Sequence, residues 1–173
     1  YTLRFNPKTG GGSHHSLAIF IRALIAHGHT PVLTTLFSSD NSYERKPCEM
    51  REKNFTGGFF ALQRRVAKLM SENASADVHL LCSSYILWAG GMYKSGGGKT
   101  AVAAILNNYT PGMGLTRAGN KIHTLKWRVW EKLIGVRLVR SIDRLYFDSP
   151  IIEGIFRRFG YFALSSIVIP EPK

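Results

Sequence analysis

Cysteine is nearly missing from this chain: Cys48 and Cys82 are the two in 173 residues, far apart and at no spacing that metal ligands use. That argues against a disulfide scaffold and makes reduced thiols the default. Long apolar runs are lacking too. No stretch of about 18 or more apolar residues occurs, so nothing is long enough to span a bilayer, and no cleavable signal is visible. The expectation is a cytoplasmic chain, soluble or peripheral on the cytoplasmic membrane face. Acids are scarce, with 11 Asp and Glu against 23 Lys and Arg, a net charge of +12 that favours polyanionic partners. Half of this excess is local, because residues 117–144 hold eight Lys and Arg against Glu131 and Asp143, a net of +6.

What is present suits one folded domain with a full core: 45% of residues are apolar and 12% aromatic. The chain opens on Tyr1 without a methionine, and Thr2 to Phe5 reads as a first strand cut close to its start. A piece of a longer protein is therefore expected.

The organising stretch runs from Thr9 to Leu36. Gly10, Gly11 and Gly12 can take backbone angles closed to other residues and allow close approach of a ligand. Ser13 is the expected N-cap of a helix carrying Leu17, Ile21, Leu24 and Ile25 at helical spacing, with His27, Gly28 and His29 as its stop. A strand from Pro31 to Leu36 then completes a βαβ unit. A helix N-terminus after a glycine loop favours phosphate or carboxylate, although the same pattern also makes a plain turn and core helix. It is not a dinucleotide fingerprint, which would need glycine where His15 stands.

A polar excursion follows from Phe37 to Asn54, with a short strand expected near Arg51 to Phe55. Phe59, Leu62, Val66, Leu69 and Met70 mark a second amphipathic helix, and Asp77 to Cys82 a buried parallel strand. Ser83 and Ser84 offer a cap for a helix over Tyr85 to Lys94, in which Gly90 and Gly91 suggest close packing. Ser95-Gly-Gly-Gly-Lys-Thr is not a phosphate-binding P-loop, since Tyr93 stands at the position of its first glycine. The glycines also follow a helix and precede a strand, so a helix-ending turn is expected.

After the strand Thr100 to Asn107, the segment Asn107-Asn108-Tyr109-Thr110-Pro111-Gly112 falls at the strand's carboxyl end, where α/β proteins bind ligands. These residues are candidates for contacts to a hydroxyl-rich substrate, and equally turn formers. Ile122, Leu125, Val129, Trp130 and Leu133 share one face of a further helix, beside Lys121, Arg128 and Lys132, with Trp127 and Ile134 on its flank. This basic amphipathic pattern suits an anionic membrane surface, or an ordinary domain helix with a solvated face. Ile142 to Phe147 is the next strand. Ser149 and Pro150 start a helix that Gly160 stops, and Ala163 to Ile169 is the last strand. The expected fold class is α/β, a Rossmann-like parallel sheet of six or seven strands with helices on both faces.

Four residue groups resemble family 4 retaining glycosyltransferases of the two-domain GT-B fold. Gly11-Gly12 with its helix and His27-Gly28-His29-Thr30-Pro31-Val32 resembles their opening, a glycine loop and a helix ending in "GH-x-V". Asp77-Val78-His79-Leu80-Leu81 is similar to their "D-V-V-H" strand, and Leu106-Asn107-Asn108-Tyr109-Thr110-Pro111 to "L-H-D-Y-x-P". Asp143 to Pro150, then Phe159-Gly160, then Val168-Ile169-Pro170, is similar to "D-x-v-i-x-x-S", "G" and "v-I-P-N-G".

The resemblance implies one acceptor-side, N-terminal domain over residues 1–173. It also implies a missing C-terminal domain with paired glutamates that holds most of the nucleotide sugar. Its partners would be that domain, a nucleotide-sugar donor and a glycan or lipid-linked acceptor. No cofactor and no metal are required by the family pattern. Gly11 and Gly12 would approach the donor phosphates or the acceptor across the cleft, and Ser13, His14, Asn107, Asn108 and Tyr109 complete the expected substrate-binding residues. Asn107 stands where the family often has a histidine, and an amide hydrogen-bonds but does not titrate. His14 and His15 replace an acidic residue frequent in the family. Catalytic residues are not assigned, and the expected membrane-facing residues are Lys121, Trp127, Arg128 and Lys132. The competing reading from composition is a basic nucleic-acid-binding or non-catalytic sugar-binding domain. Against the first, no recognised nucleic-acid-binding motif is present.

Overall fold

A computed structural model describes residues 1–5, 11–37, 48–106, 129–163 and 165–168, and only the backbone of residues 11–13. It shows an α/β protein whose strands all pair in parallel, with helices flanking the sheets. Two compact units make up the chain, Tyr1–Gly58 and Phe59–Lys173.

In the first unit, Thr2 forms a parallel bridge to Thr35 at the end of β1 (Val32–Thr35), and β1 pairs with β2 (Glu49–Glu52) in the register Val32 to Glu49. The second strand lies two residues earlier than the apolar pattern near Phe55 suggests. Parallel neighbours need a crossover, supplied between Thr2 and β1 by α1 (Gly11–Ala26). Leu17, Ala18 and Ile21 of α1 are buried, as are Phe5, Leu33 and Leu36. Ile25, expected on the same stripe, is 45% exposed, so the packed face is narrower than the spacing implies.

The second unit holds a four-stranded sheet in the order β3 (Val78–Leu81), β4 (Ala101–Leu106), β5 (Arg144–Phe147) and β6 (Ser165–Val168). Before β3 comes α2 (Phe59–Glu72), whose Leu62, Val66, Leu69 and Met70 are buried as their period requires. A short 3-10 turn, Ser84–Ile86, leads into α3 (Leu87–Ser95). A π-turn, Glu131–Gly135, continues into α4 (Val136–Arg140), and α5 (Pro150–Arg158) precedes β6.

Gly90 and Gly91 let α3 sit close to its neighbours. A Cβ at Gly90 would crowd Val102 and Leu81 of the sheet, and one at Gly91 would collide with the backbone of Leu138 in α4. Gln63, absent from the apolar pattern, is fully buried between α2 and α3: its amide donates to the Tyr85 carbonyl at 2.7 Å and accepts from Ala89 N–H at 2.9 Å. Both halves of the amide are thereby satisfied, as a buried side chain of this kind demands.

Three helices end in one geometry. Gly28, Gly97 and Gly160 have φ of 80°, 89° and 82° and follow α1, α3 and α5. At each, the glycine N–H and the next N–H bond back to carbonyls of the last turn: Gly28 to Ile25 and His29 to Leu24, Gly97 to Lys94 and Gly98 to Tyr93, Gly160 to Arg157 and Tyr161 to Phe156. These are Schellman turns, which need the left-handed backbone that glycine adopts without a Cβ penalty. The Ser95 to Thr100 segment is thus the helix-ending turn expected of it, tightened by a Thr100 N–H bond to the Tyr93 hydroxyl at 3.2 Å.

Candidate functional site

Parallel α/β proteins collect ligands at the carboxyl ends of their strands, where helix N-termini also point. In the first unit this edge carries the start of α1. The helix begins at Gly11 rather than after Ser13, so Gly11, Gly12 and Ser13 form its opening turn. N–H groups of a first helical turn have no intrahelical acceptor and face outward along the axis. His14 follows, half-buried, its imidazole pKa lowered by burial below the ordinary value of 6.5. At neutral pH it is therefore an uncharged donor and acceptor, suited to hydroxyl groups. His15 beside it is exposed.

Sequence reasoning missed an aromatic group at the end of β1. The Phe37 ring lies 6.4 Å edge-on from Phe55, and the Arg4 guanidinium stands 5.8 Å over it. The only signal available in the sequence was the position of Phe37 directly after the strand.

In the second unit the same edge carries two serine caps. Ser83 accepts from Tyr85 N–H at 3.3 Å just past β3, and Ser149 from Ile152 N–H at 3.3 Å just past β5, with Pro150 in the first turn. Both hydroxyls are thereby committed to helix starts. Cys82, between β3 and Ser83, has its thiol pKa pushed up by burial, which suppresses the reactive thiolate. β4 ends at Leu106. Asn107, Asn108 and Tyr109 follow it in sequence and lie outside the described residues, as do Lys121, Trp127 and Arg128. Lys132 is described, and it is exposed on the π-turn.

Asp143 belongs to the opposite edge, just before β5. Its carboxylate accepts from Val102 N–H at 2.7 Å and pairs with Lys94 at 3.0 Å. Burial alone would raise its pKa, but the Val102 hydrogen bond and the Lys94 hydrogen bond and charge bring it below the usual carboxylate range. The aspartate that opens the "D-x-v-i-x-x-S" resemblance thus ties β4 and β5 to the end of α3.

A cavity of about 120 Å³ lies between α5 and the β5–β6 edge, lined by Leu145, Phe147, Arg157, Tyr161, Ser165 and Ser166 among others. Arg157 is already engaged, with Glu153 at 2.7 Å and the Ser166 hydroxyl at 3.1 Å. The space is smaller than the several hundred Å³ usual for organic ligands. Among the described residues no His, Cys, Asp and Glu group of three or more is arranged to hold a metal ion.

A buried polar chain was likewise not visible in the sequence. Tyr161 hydroxyl donates to Glu131 at 2.8 Å and accepts from the Trp88 indole N–H at 3.4 Å, with all three residues buried. It joins the π-turn, α3 and the segment after α5. Gly135 makes room for it, since a Cβ there would strike the Trp88 ring.

Compared with family models, curated proteins and solved structures, the chain matches none.

Proposed function

We propose that this chain is the acceptor-side, N-terminal half of a GT-B retaining glycosyltransferase, moving a sugar from a nucleotide-sugar donor to a glycan or lipid-linked acceptor. The observation that carries the reading is the order of four residue groups along a parallel α/β frame. Gly11-Gly12 open α1, and His27-Gly28-His29 close it in a left-handed turn before β1. Asp77 to Leu81 runs into β3, Leu106 ends β4, and Asp143 to Ser149 passes through β5 into the cap of α5. Within each unit, consecutive strands are sheet neighbours, as in either half of a doubly wound fold.

On this reading the chemistry at the anomeric carbon is helped mainly by positioning and by stabilising the departing diphosphate. Outward N–H groups of Gly11 and Gly12 are suited to a phosphate or to an acceptor oxygen. Neutral His14 hydrogen-bonds sugar or acceptor hydroxyls without bringing a charge that water would compete for. Asn107 supplies an amide donor and acceptor toward the donor sugar and takes no part in proton transfer. A second domain holds the nucleotide and bears the glutamate pair.

The test starts from the encoded protein, read past Lys173 and produced whole. Incubated with a panel of nucleotide sugars and acceptors, it should release nucleoside diphosphate only when an acceptor is present. Nuclear magnetic resonance should show the product with the donor's anomeric configuration. Inversion at that carbon, or turnover by residues 1–173 alone, would sink the proposal.

A further inference from the structure

The helical segment from Val129 to Arg140 turns apolar side chains outward and an acid inward. Val129, Trp130 and Leu133, which share one face in the sequence pattern, are 48%, 45% and 59% exposed, while the acid between them, Glu131, is buried. The cause is local. Glu131 is held by the Tyr161 hydroxyl, and the π-turn from Glu131 to Gly135 widens the helix so that Gly135 meets Trp88. With Glu131 turned in, its large apolar neighbours are turned out. Trp130 is steadied on one side by an edge contact with Phe60 at 5.8 Å and leaves nearly half of its surface exposed.

Contiguous exposed apolar side chains mark interaction surfaces. The charge around this one selects the partner. Lys132, Arg137 and Arg140 are exposed, and none has an ion-pair partner among the described residues. Burying Glu131 removes the acid that would otherwise offset them. A second copy of a chain with net charge +12 would bring like charge against like. A nucleic acid would meet the cations but leave Leu133 and Val129 without an apolar environment. A Trp flanked by aliphatic residues and cations is the composition that settles at the boundary between acyl chains and anionic headgroups.

We infer that Val129, Trp130 and Leu133, together with the exposed Lys132, Arg137 and Arg140 of the same helical segment, form a docking surface for an anionic lipid bilayer. The contact is peripheral: the apolar side chains enter the headgroup boundary and the cations meet lipid phosphates. No helix among the described residues is long and apolar enough to cross a membrane. The inference does not rest on sugar transfer, since it stands on exposure and charge alone.

Co-sedimentation with phosphatidylcholine vesicles, with and without phosphatidylglycerol, tests it on the whole protein. Binding should appear on the anionic vesicles, weaken with added salt, and fall on the order of tenfold in Leu133→Glu and in Arg137→Glu. Both sites are exposed, so neither change should disturb folding. Equal recovery on neutral and anionic vesicles, Leu133→Glu binding like the parent, or competition by RNA to which Leu133→Glu is indifferent would each overturn the inference. A vesicle-bound protein without transferase activity would leave it standing and count against the sugar-transfer reading alone.

Discussion

Glu131 and Tyr161, thirty residues apart in sequence, share a 2.8 Å hydrogen bond in a place where both are almost wholly buried. The bond fixes which side of the π-turn faces inward, and with it the outward display of Trp130 and Leu133. Tyr161→Phe removes the hydroxyl that serves both Glu131 and Trp88, at a cost of about 1–3 kcal/mol, because buried polar groups lose a partner. Urea unfolding of parent and variant measures it; an unchanged midpoint would mean that the chain contributes nothing to stability.

Gly91 touches the backbone of Leu138 where a Cβ has no room. Gly91→Ala should destabilise by about 1–3 kcal/mol despite the better helix propensity of alanine, since α3 and α4 must move apart. Thermal unfolding decides between the two effects: a gain in melting temperature would show that propensity wins.

His79 is buried edge-on against Tyr93 at 5.1 Å, and burial lowers its imidazole pKa although a hydrogen bond to the Met70 carbonyl opposes this. A depressed folded-state pKa means that the unfolded chain takes up the proton first. The contribution is present above about pH 6.5, the unfolded value, and is lost as pH falls toward the folded pKa. Between neutral pH and about pH 5 the stability gap between the parent and His79→Gln should narrow. A constant gap in denaturant titrations over that window would contradict it.

The Asp143 carboxyl also has a depressed pKa, but its window is more acidic. Its stabilisation is complete above about pH 4, the unfolded value, and disappears as pH falls through the folded one. Asp143→Ala, which leaves Val102 N–H without this acceptor, should cost about 1–2 kcal/mol at neutral pH and progressively less below about pH 4. Equilibrium unfolding at both pH values checks the sign.

On the proposed sugar-transfer reading, His14→Ala in the whole protein should lower kcat/KM by roughly tenfold or more, the loss of one hydrogen bond to substrate or acceptor. A matching loss of thermal stability would reassign His14 to packing.

Most of the frame was legible because few other structures satisfy its local patterns. Leu62, Val66, Leu69 and Met70 fix a helix face by period, and the short stretch from Ile142 to Phe147 holds the strand Arg144–Phe147 with Leu145 and Phe147 buried. Ser149-Pro150 and the glycine at 160 bracket a helix by capping chemistry alone. What stayed hidden depends on partners distant in sequence. Nothing around Gln63 announces that Tyr85 and Ala89 will satisfy it, and nothing around Glu131 announces Tyr161. A π-turn has no periodic signature either, so the spacing of Val129 and Leu133 left open whether their face meets the core or a surface. The division of the strands into two hydrogen-bonded sheets was equally invisible, since pairing partners are not written in a strand's own composition. Of the candidate site, the α1 opening and His14 fall among the described residues, whereas Asn107 to Tyr109 lie outside them.

The three left-handed glycine turns all lead from a helix into the amino end of a strand, after α1, α3 and α5. These three chain reversals leave little freedom, because each is spelled by a residue without a side chain and sealed by two main-chain bonds. Engineers wishing to retarget the protein should therefore graft new sequence where β1, β4 and β5 give out and leave Gly28, Gly97 and Gly160 alone. Segments exchanged there inherit strands whose spacing has already been set from behind.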